Sequence, residues 1–344
     1  MLPGISIIIT THNQCEVLHN HLPSFLEQDY AGDFEVIVVD QNSTDDTMPY
    51  LDRMEGRYAN LHIISTPGTA RNISIQRMAL TLGVRAASYE WVMLTQADCQ
   101  PASPRWLTKM SEACNNDKTK IVLGYTQMAN GKGWHGLRYR FLRTWQQINN
   151  ISWTRGHAAY RCDGTNLCYR RDFFLENKGF ADNTNLQLGA TDILVNRNST
   201  HDNTRYVVCP DAIVMQDTPR YYRTWVQERM FFVETRRHFR HSASFLLRRF
   251  VGALATWLPT LLAISAIIWG IANADIITPI VALVLWFGLI AYRTYRINKQ
   301  FQTLGEPQIW FAMPLLIHLV SIWDIQAWIV WLFTKRQTFE KKYI

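Results

Sequence analysis

The sequence predicts an α/β domain, a mostly parallel sheet flanked by helices, followed by a membrane-associated helical region. Continuous runs of β-branched residues alternate with helix-length stretches through residues 5–95. Such runs are repeatedly followed by polar or acidic residues. Beyond residue 250, two long segments lose their charges altogether.

The predicted strands are ISIIIT (5–10), FEVIVVD (34–40), LHIIS (61–65) and EWVMLT (90–95). Strands that are apolar on both faces belong to a sheet covered on both sides, and parallel sheets are built that way. Helices are predicted between them over 14–28, 44–57 and 72–87. STDDT (43–47) is a helix start, with Ser43 or Thr44 as cap and Asp45 and Asp46 favouring the helix dipole from the first turn. Residues 121–220 mix Gly/Asn-rich turns with short apolar runs such as YVVCPDAIVMQ. They read as an extension of the same domain, where an acceptor site has room to form.

FVGALATWLPTLLAISAIIWGI (250–271) is 22 residues without a charge, and IITPIVALVLWFGLIAY (276–292) is 17. A membrane-crossing helix needs about 20. The alternative, two core helices of a soluble protein, fits poorly with such uniform apolarity. The intervening ANAD has no Lys or Arg, whereas Arg248, Arg249, Arg293, Arg296 and Lys299 flank the pair. The positive-inside rule then makes a transmembrane hairpin with both ends, and the N-terminal domain, in the cytoplasm. The stretch 309–333 holds Pro314, His318 and Asp324 between basic flanks. It is expected to form interfacial or re-entrant helices, with a third span as the alternative. The predicted domains are therefore 1–240, cytoplasmic, and 241–344, membrane-associated.

At 48% hydrophobic and 12% aromatic residues, the 344-residue chain can build a core and is too apolar for disorder. The net charge of +7 is concentrated in arginines over 220–249 and in the closing TKRQTFEKKYI. Beside membrane segments this pattern predicts anionic lipid as the partner, and no nucleic acid. Six cysteines without CxxC or Cys/His spacing predict reduced thiols in a cytosolic compartment. The start MLPGISIIITTHN lacks a basic n-region and a cleavage site, so no signal peptide is predicted.

In open parallel sheets, ligands sit beyond the carboxyl ends of the strands. Asp40, Asp98 and the loop TTHN (10–13) fall there, and nearby loops carry Gly68, Arg71 and Arg77. Acids at strand ends suit ribose hydroxyls, a base N–H or a cation bridging a diphosphate. The chain has no GxGxxG after the first strand and no GxxxxGK[ST], which removes the dinucleotide and P-loop motifs.

ISIIITTHNQ, FEVIVVDQNSTDDT, ALTLGVRAASYEWVMLTQADCQPASPRWL, GTNLCYRRDFF and GATDILVNRNST occur in that order. Together they resemble a bacterial family 2 glycosyltransferase of GT-A fold with C-terminal membrane helices. The resemblance implies that Thr11 lies near the base and that Asp40 binds the base or ribose; an Asx turn is the alternative for Asp40. It implies that Arg77 faces the diphosphate, with a solvated helix face as the alternative. It makes Asp98 the metal ligand for Mg2+ or Mn2+, against a strand-end acid held by backbone N–H groups. Gln96 replaces the usual first acid of that motif; it can accept a ribose hydrogen bond but weakens the cation site. In LQLGATDILVNR, Ala190 and Thr191 stand where relatives carry acids, leaving Asp192 as the general base or as a helix-start residue. Gln227 and Arg229, in WVQERMFFVETRRHF, match the diphosphate- and acceptor-binding motif only loosely; an interfacial role on lipid is expected for most arginines of that run. Gly164, Asn166 and Arg170 are expected to offer hydrogen bonds under the donor sugar, or else to be a turn and surface charges.

The function so implied is transfer of a sugar from a nucleotide-diphosphate sugar to a lipid-linked or envelope-glycan acceptor, with inversion and with metal assistance. The expected location is the cytoplasmic face of the bacterial inner membrane. The alternative is a catalytically impaired relative acting as a membrane scaffold or regulatory subunit of an active transferase.

Overall fold

The computed structural model describes residues 2–67, 74–129, 131–154, 157–162, 164–181, 186–219 and 221–335. Gly68, Arg71 and the basic tail beyond 335 lie outside the described residues. The chain divides into two compact units, residues 1–240 with 333–344, and residues 241–332.

In the first unit, β1 (Ile5–Thr11), α1 (Cys15–Leu26), β2 (Phe34–Asp40), α2 (Thr47–Glu55), β3 (Leu61–Ser65), α3 (Ile75–Ala86) and β4 (Trp91–Gln96) alternate as the sequence predicts. They are followed by β5 (Cys99–Pro101), α4 (Trp106–Glu112), β6 (Ile121–Gly124), β7 (Thr126–Met128), α5 (Gly133–Thr154), β8 (Leu167–Arg170) and α6 (Arg171–Glu176). The unit is completed by α7 (Ala190–Asn198), β9 (Thr204–Val207), β10 (Val214–Gln216) and α8 (Tyr222–Thr235).

The main sheet has the order β3-β2-β1-β4-β8-β6-β9. Every residue of β1 is buried, and β1 pairs in parallel with β2 and β4. Side chains of a strand alternate between faces. Accordingly Ile5, Ile7 and Ile9 join Leu18, Phe25 and Trp106, from α1 and α4, whereas Ile8 joins Ala79, Leu80 and Val84 of α3. Each such buried aliphatic side chain contributes about 1.5–3 kcal/mol. Helix α3 comes very close to the sheet, since a Cβ at Gly83 would lie 2.6 Å from Ile8 Cγ2. β8 enters antiparallel between β4 and β6, so the sheet is mixed rather than wholly parallel. A second sheet, β5-β10-β7, forms beyond the carboxyl end of β4.

The second unit contains α9 (Ser242–Asn273), α10 (Ile277–Thr303) and α11 (Met313–Phe333), each long and apolar enough to cross a membrane. The stretch 309–333 thus yields one continuous 21-residue helix, not a pair. Leu262, Ile268, Val284 and Leu285 are each at least 60% exposed, a distribution suited to hydrocarbon and not to water. Some polar groups in this unit pair with one another: the Thr260 hydroxyl meets Trp286 Nε1 and His318 Nε2, both at 3.0 Å, and Arg249 pairs with Asp324.

Candidate active site

The strand register brings several predicted residues to one sheet edge: Thr11 lies opposite Asp40, and Thr10 opposite Gln96. Asp40 is buried, and its carboxylate accepts the Ser43 N–H at 3.0 Å and the Ser43 hydroxyl. The loops after β1 and β2 are tied together. The Asn13 N–H reaches Ser43 Oγ at 2.9 Å, and the Thr44 N–H reaches Asn13 Oδ1 at 2.7 Å. Asn13 and Asn42 both adopt left-handed backbone, which asparagine tolerates. Thr11 is buried, with its hydroxyl 3.5 Å from Gln14 Oε1. The helix start differs from expectation. α2 begins at Thr47, and neither Ser43 nor Thr44 caps it. Asp45 accepts the Thr47 N–H at 3.1 Å and, through its other oxygen, the Cys15 N–H at 3.3 Å.

Asp98 lies in the turn between β4 and β5. The Gln216 amide of β10 donates to Asp98 Oδ2 at 3.1 Å and to Gln96 Oε1 at 3.3 Å. Arg143 of α5 in turn donates to Gln216 Oε1 at 3.2 Å. The Asp217 N–H reaches the Asp98 carbonyl at 2.9 Å, and His21 Nε2 lies 3.0 Å from Asp217 Oδ2. Desolvation raises the Asp98 pKa, and the Gln216 hydrogen bond opposes that rise.

Asp192, in the first turn of α7, is buried. Its Oδ1 accepts the Cys162 N–H at 2.9 Å, and its Oδ2 lies 3.5 Å from Arg161 Nε. The Arg161 guanidinium covers the Phe232 ring at 4.1 Å and donates to Gln146 at 3.1 Å. Glu228 of α8 accepts the Tyr139 hydroxyl. Desolvation raises its pKa; the Tyr139 bond and the charges of Arg143 and Arg161 lower it, and the charge of Asp98 raises it further. Asp98 is half-buried and Glu228 is exposed, yet both carboxyls are desolvated.

Other predicted residues are placed elsewhere. Arg77 is buried rather than on a solvated helix face, and its guanidinium donates to the Leu186 carbonyl at 3.0 Å and the Phe180 carbonyl at 3.3 Å. Burial lowers its pKa to about 10. Arg229 is buried beside the Trp225 ring at 5.1 Å, so it is no surface contact for lipid, whereas Gln227 of the same helix is exposed. Asn166 bridges Trp106 and the carbonyls of Tyr125 and Ala212. Arg170 pairs with Trp91 in the sheet and with Glu90 by charge. That places it at the opposite edge, about 16 Å of strand from Gln96.

Tyr139, Arg143, Gln216 and Glu228 were not anticipated. Their signal was faint. The buried face of α5 repeats every three residues as Arg138, Phe141, Thr144, Gln147, Asn150 and Trp153, and its polar members hide the period.

The oxygens of Asp98 and Gln96, both directed at one amide hydrogen donor, are hard ligands of the kind Mg2+ and Mn2+ take, and a cation would relieve the desolvated charge. Among the described residues, no group of three or more His, Cys, Asp or Glu side chains is placed to hold an ion. A cation here would therefore draw further ligands from its substrate.

Residues 6–176 match the family model for glycosyl transferase family 2. This chain carries a family 2 glycosyltransferase domain. The family 2 domain is similar to hyaluronan synthase of Pasteurella multocida, 28% identical over 120 residues that are 35% of this chain and 12% of that protein. It is also similar to poly(ribitol-phosphate) beta-glucosyltransferase of Bacillus spizizenii, 27% identical over 139 residues, 38% of this chain and 20% of that protein. The matched stretches are thus a small part of either relative. The fold resembles that of a mannosyltransferase from Pyrobaculum calidifontis, solved in complex with GDP-Man and Mn2+, with TM-score 0.60 and 20% identity over 98% of this chain and 89% of that one. The architecture is GT-A.

Proposed function

We propose that the protein transfers a sugar from a nucleotide-diphosphate donor to a glycan or lipid-linked acceptor at a membrane surface, with inversion at the anomeric carbon. The observation that carries this reading is Asp98, a desolvated carboxyl at the carboxyl edge of the sheet beside Gln96 and Gln216. Asp40 and Thr11, on the same edge, hold the nucleoside in loops already cross-tied by Asn13 and Ser43. Asp98 and Gln96 would hold a divalent cation, as the Mn2+ of the similar mannosyltransferase suggests. Such an ion stabilises charge on the departing diphosphate when bound. Arg143, bonded to Gln216, adds positive charge beside the same carboxylate. Arg77 holds the Phe180 and Leu186 carbonyls and supports the fold around the site.

The relatives that make hyaluronan or modify poly(ribitol-phosphate) suggest an envelope glycan or polyol as acceptor. The basic flanks of α9 and α10 favour a hairpin with the transferase domain in the cytoplasm, at the bacterial inner membrane.

The test is transfer of labelled sugar from a panel of UDP- and GDP-sugars to membrane extracts, with protein purified in nanodiscs and Mn2+ present. Turnover with one donor, lost in Asp98→Ala, is expected. No turnover with any donor would contradict the proposal.

A further inference from the structure

Asp192 is poorly placed to take a proton. One of its oxygens holds the Cys162 N–H at 2.9 Å, the other faces the Arg161 guanidinium at 3.5 Å, and the side chain is buried. Both partners hold the carboxylate in place and occupy its oxygens. Glu228 has the complementary set of properties. It is exposed, and Tyr139 on α5 anchors it through one oxygen. Tyr139 lies one turn before Arg143 on α5, and Arg143 reaches Asp98 through Gln216; Phe232, one turn after Glu228 on α8, lies under the Arg161 guanidinium that faces Asp192. Among the described residues, the charges of Asp98, Arg143 and Arg161 act on Glu228 together with the Tyr139 hydroxyl; Arg143 belongs to α5, Arg161 to the chain before β8, and Asp98 to the turn after β4.

We propose that Glu228, anchored by the Tyr139 hydroxyl, is the carboxylate that receives the proton of an acceptor hydroxyl, and that Asp192 is a positioning residue acting through Arg161. This rests on the transferase reading above and sharpens it: the acceptor is an alcohol, not a phosphate, because a phosphate is already largely ionised at neutral pH and needs no base. The acceptor O–H proton passes to the Glu228 carboxylate as the acceptor oxygen bonds to the anomeric carbon. The bond from that carbon to the diphosphate oxygen breaks, and its electron pair leaves with the nucleoside diphosphate. A positioned base of this kind is worth about 100- to 10,000-fold in rate. The raised pKa of Glu228 suits the task, since a base works best near the operating pH.

The experiment measures kcat and KM against pH for the wild type, E228Q, Y139F and D192N, with full-length protein and the donor found active in the UDP- and GDP-sugar panel. The expected result for E228Q is a loss of about 100-fold or more in kcat, unchanged donor KM and no acidic limb in the pH profile. Y139F is expected to keep the limb but move it to higher pH, because the hydroxyl that favours the ionised form is gone. D192N is expected to retain the wild-type limb. An E228Q protein with wild-type kcat and an intact limb overturns the proposal, as does a limb that vanishes only in D192N. A phosphate acceptor for the active enzyme overturns it too. A wild type inert towards every donor would instead sink the transferase reading itself, and this role with it.

Discussion

Asp40 ends β2 and Asp98 follows the end of β4, the strands on either side of β1, and the two acids are treated oppositely. Asp40 accepts two hydrogen bonds from Ser43 within its own loop, and that loop is fastened to the loop after β1 through Asn13. Asp98 is held more weakly by its own turn, where the Cys99 thiol donates to its Oδ1 at 3.6 Å. It reaches across to Gln216 and the burden of desolvation on it is greater than the hydrogen bond relieves. An acid satisfied by its neighbours builds a loop; an acid left short of positive charge is one that a cation completes.

The largest expected effect separates these roles. Asp98→Ala should lower sugar transfer by about 100- to 1000-fold, the scale of losing an electrostatic stabiliser of the leaving group, while the thermal midpoint of unfolding stays near the wild-type value. If Asp98→Ala instead unfolds the protein, the contrast between a structural and a functional acid collapses.

Asp40→Ala should behave differently. Removal of its two charge-assisted hydrogen bonds should cost about 2 kcal/mol, seen as a lower unfolding midpoint together with weaker donor binding. A variant that loses donor binding at an unchanged midpoint would make Asp40 purely a ligand residue.

Gln96→Asp sharpens the comparison from the other direction. A second carboxylate beside Asp98 should tighten Mn2+ binding by roughly tenfold, read by calorimetric titration. Unchanged affinity would mean that Gln96 does not face the ion.

The smallest effect is on stability against pH. The folded-state pKa of Asp98 lies above the usual carboxylate value, so the folded chain binds this proton more tightly than the unfolded chain. This group's contribution is therefore most favourable at low pH and declines as pH rises through the window from the ordinary to the raised pKa. Denaturant titrations of wild type and Asp98→Asn should differ in slope only in that window. Mn2+ affinity should increase across the same window, because the ion needs the ionised form.

Strands β1, β2 and β4 are readable in the sequence because they are buried on both faces, so their apolar runs are uninterrupted. Asp40, Asp98, Thr11 and Gln96 were readable with them, since residues at strand ends inherit their place from the strand. The antiparallel entry of β8 was not, because pairing across a long connection leaves no local trace. Helix α5 escaped notice for a different reason: its buried face includes Thr144, Gln147 and Asn150, which read as solvent-facing. Tyr139 and Arg143 were missed along with it. Glu228 has no sequence signal of its own, since it lies between Gln227 and Arg229, the two residues that loosely match a binding motif. Arg77 is a related case, a charge that a sequence places on a helix surface and the fold buries against the Phe180 and Leu186 carbonyls.

The most direct measurement is Mn2+-dependent binding of UDP and GDP to the wild type and to Asp98→Ala, followed by calorimetry at neutral pH. The account predicts that Mn2+ tightens binding of one nucleotide to the wild type and has no effect on the variant. Equal tightening in both proteins would contradict it.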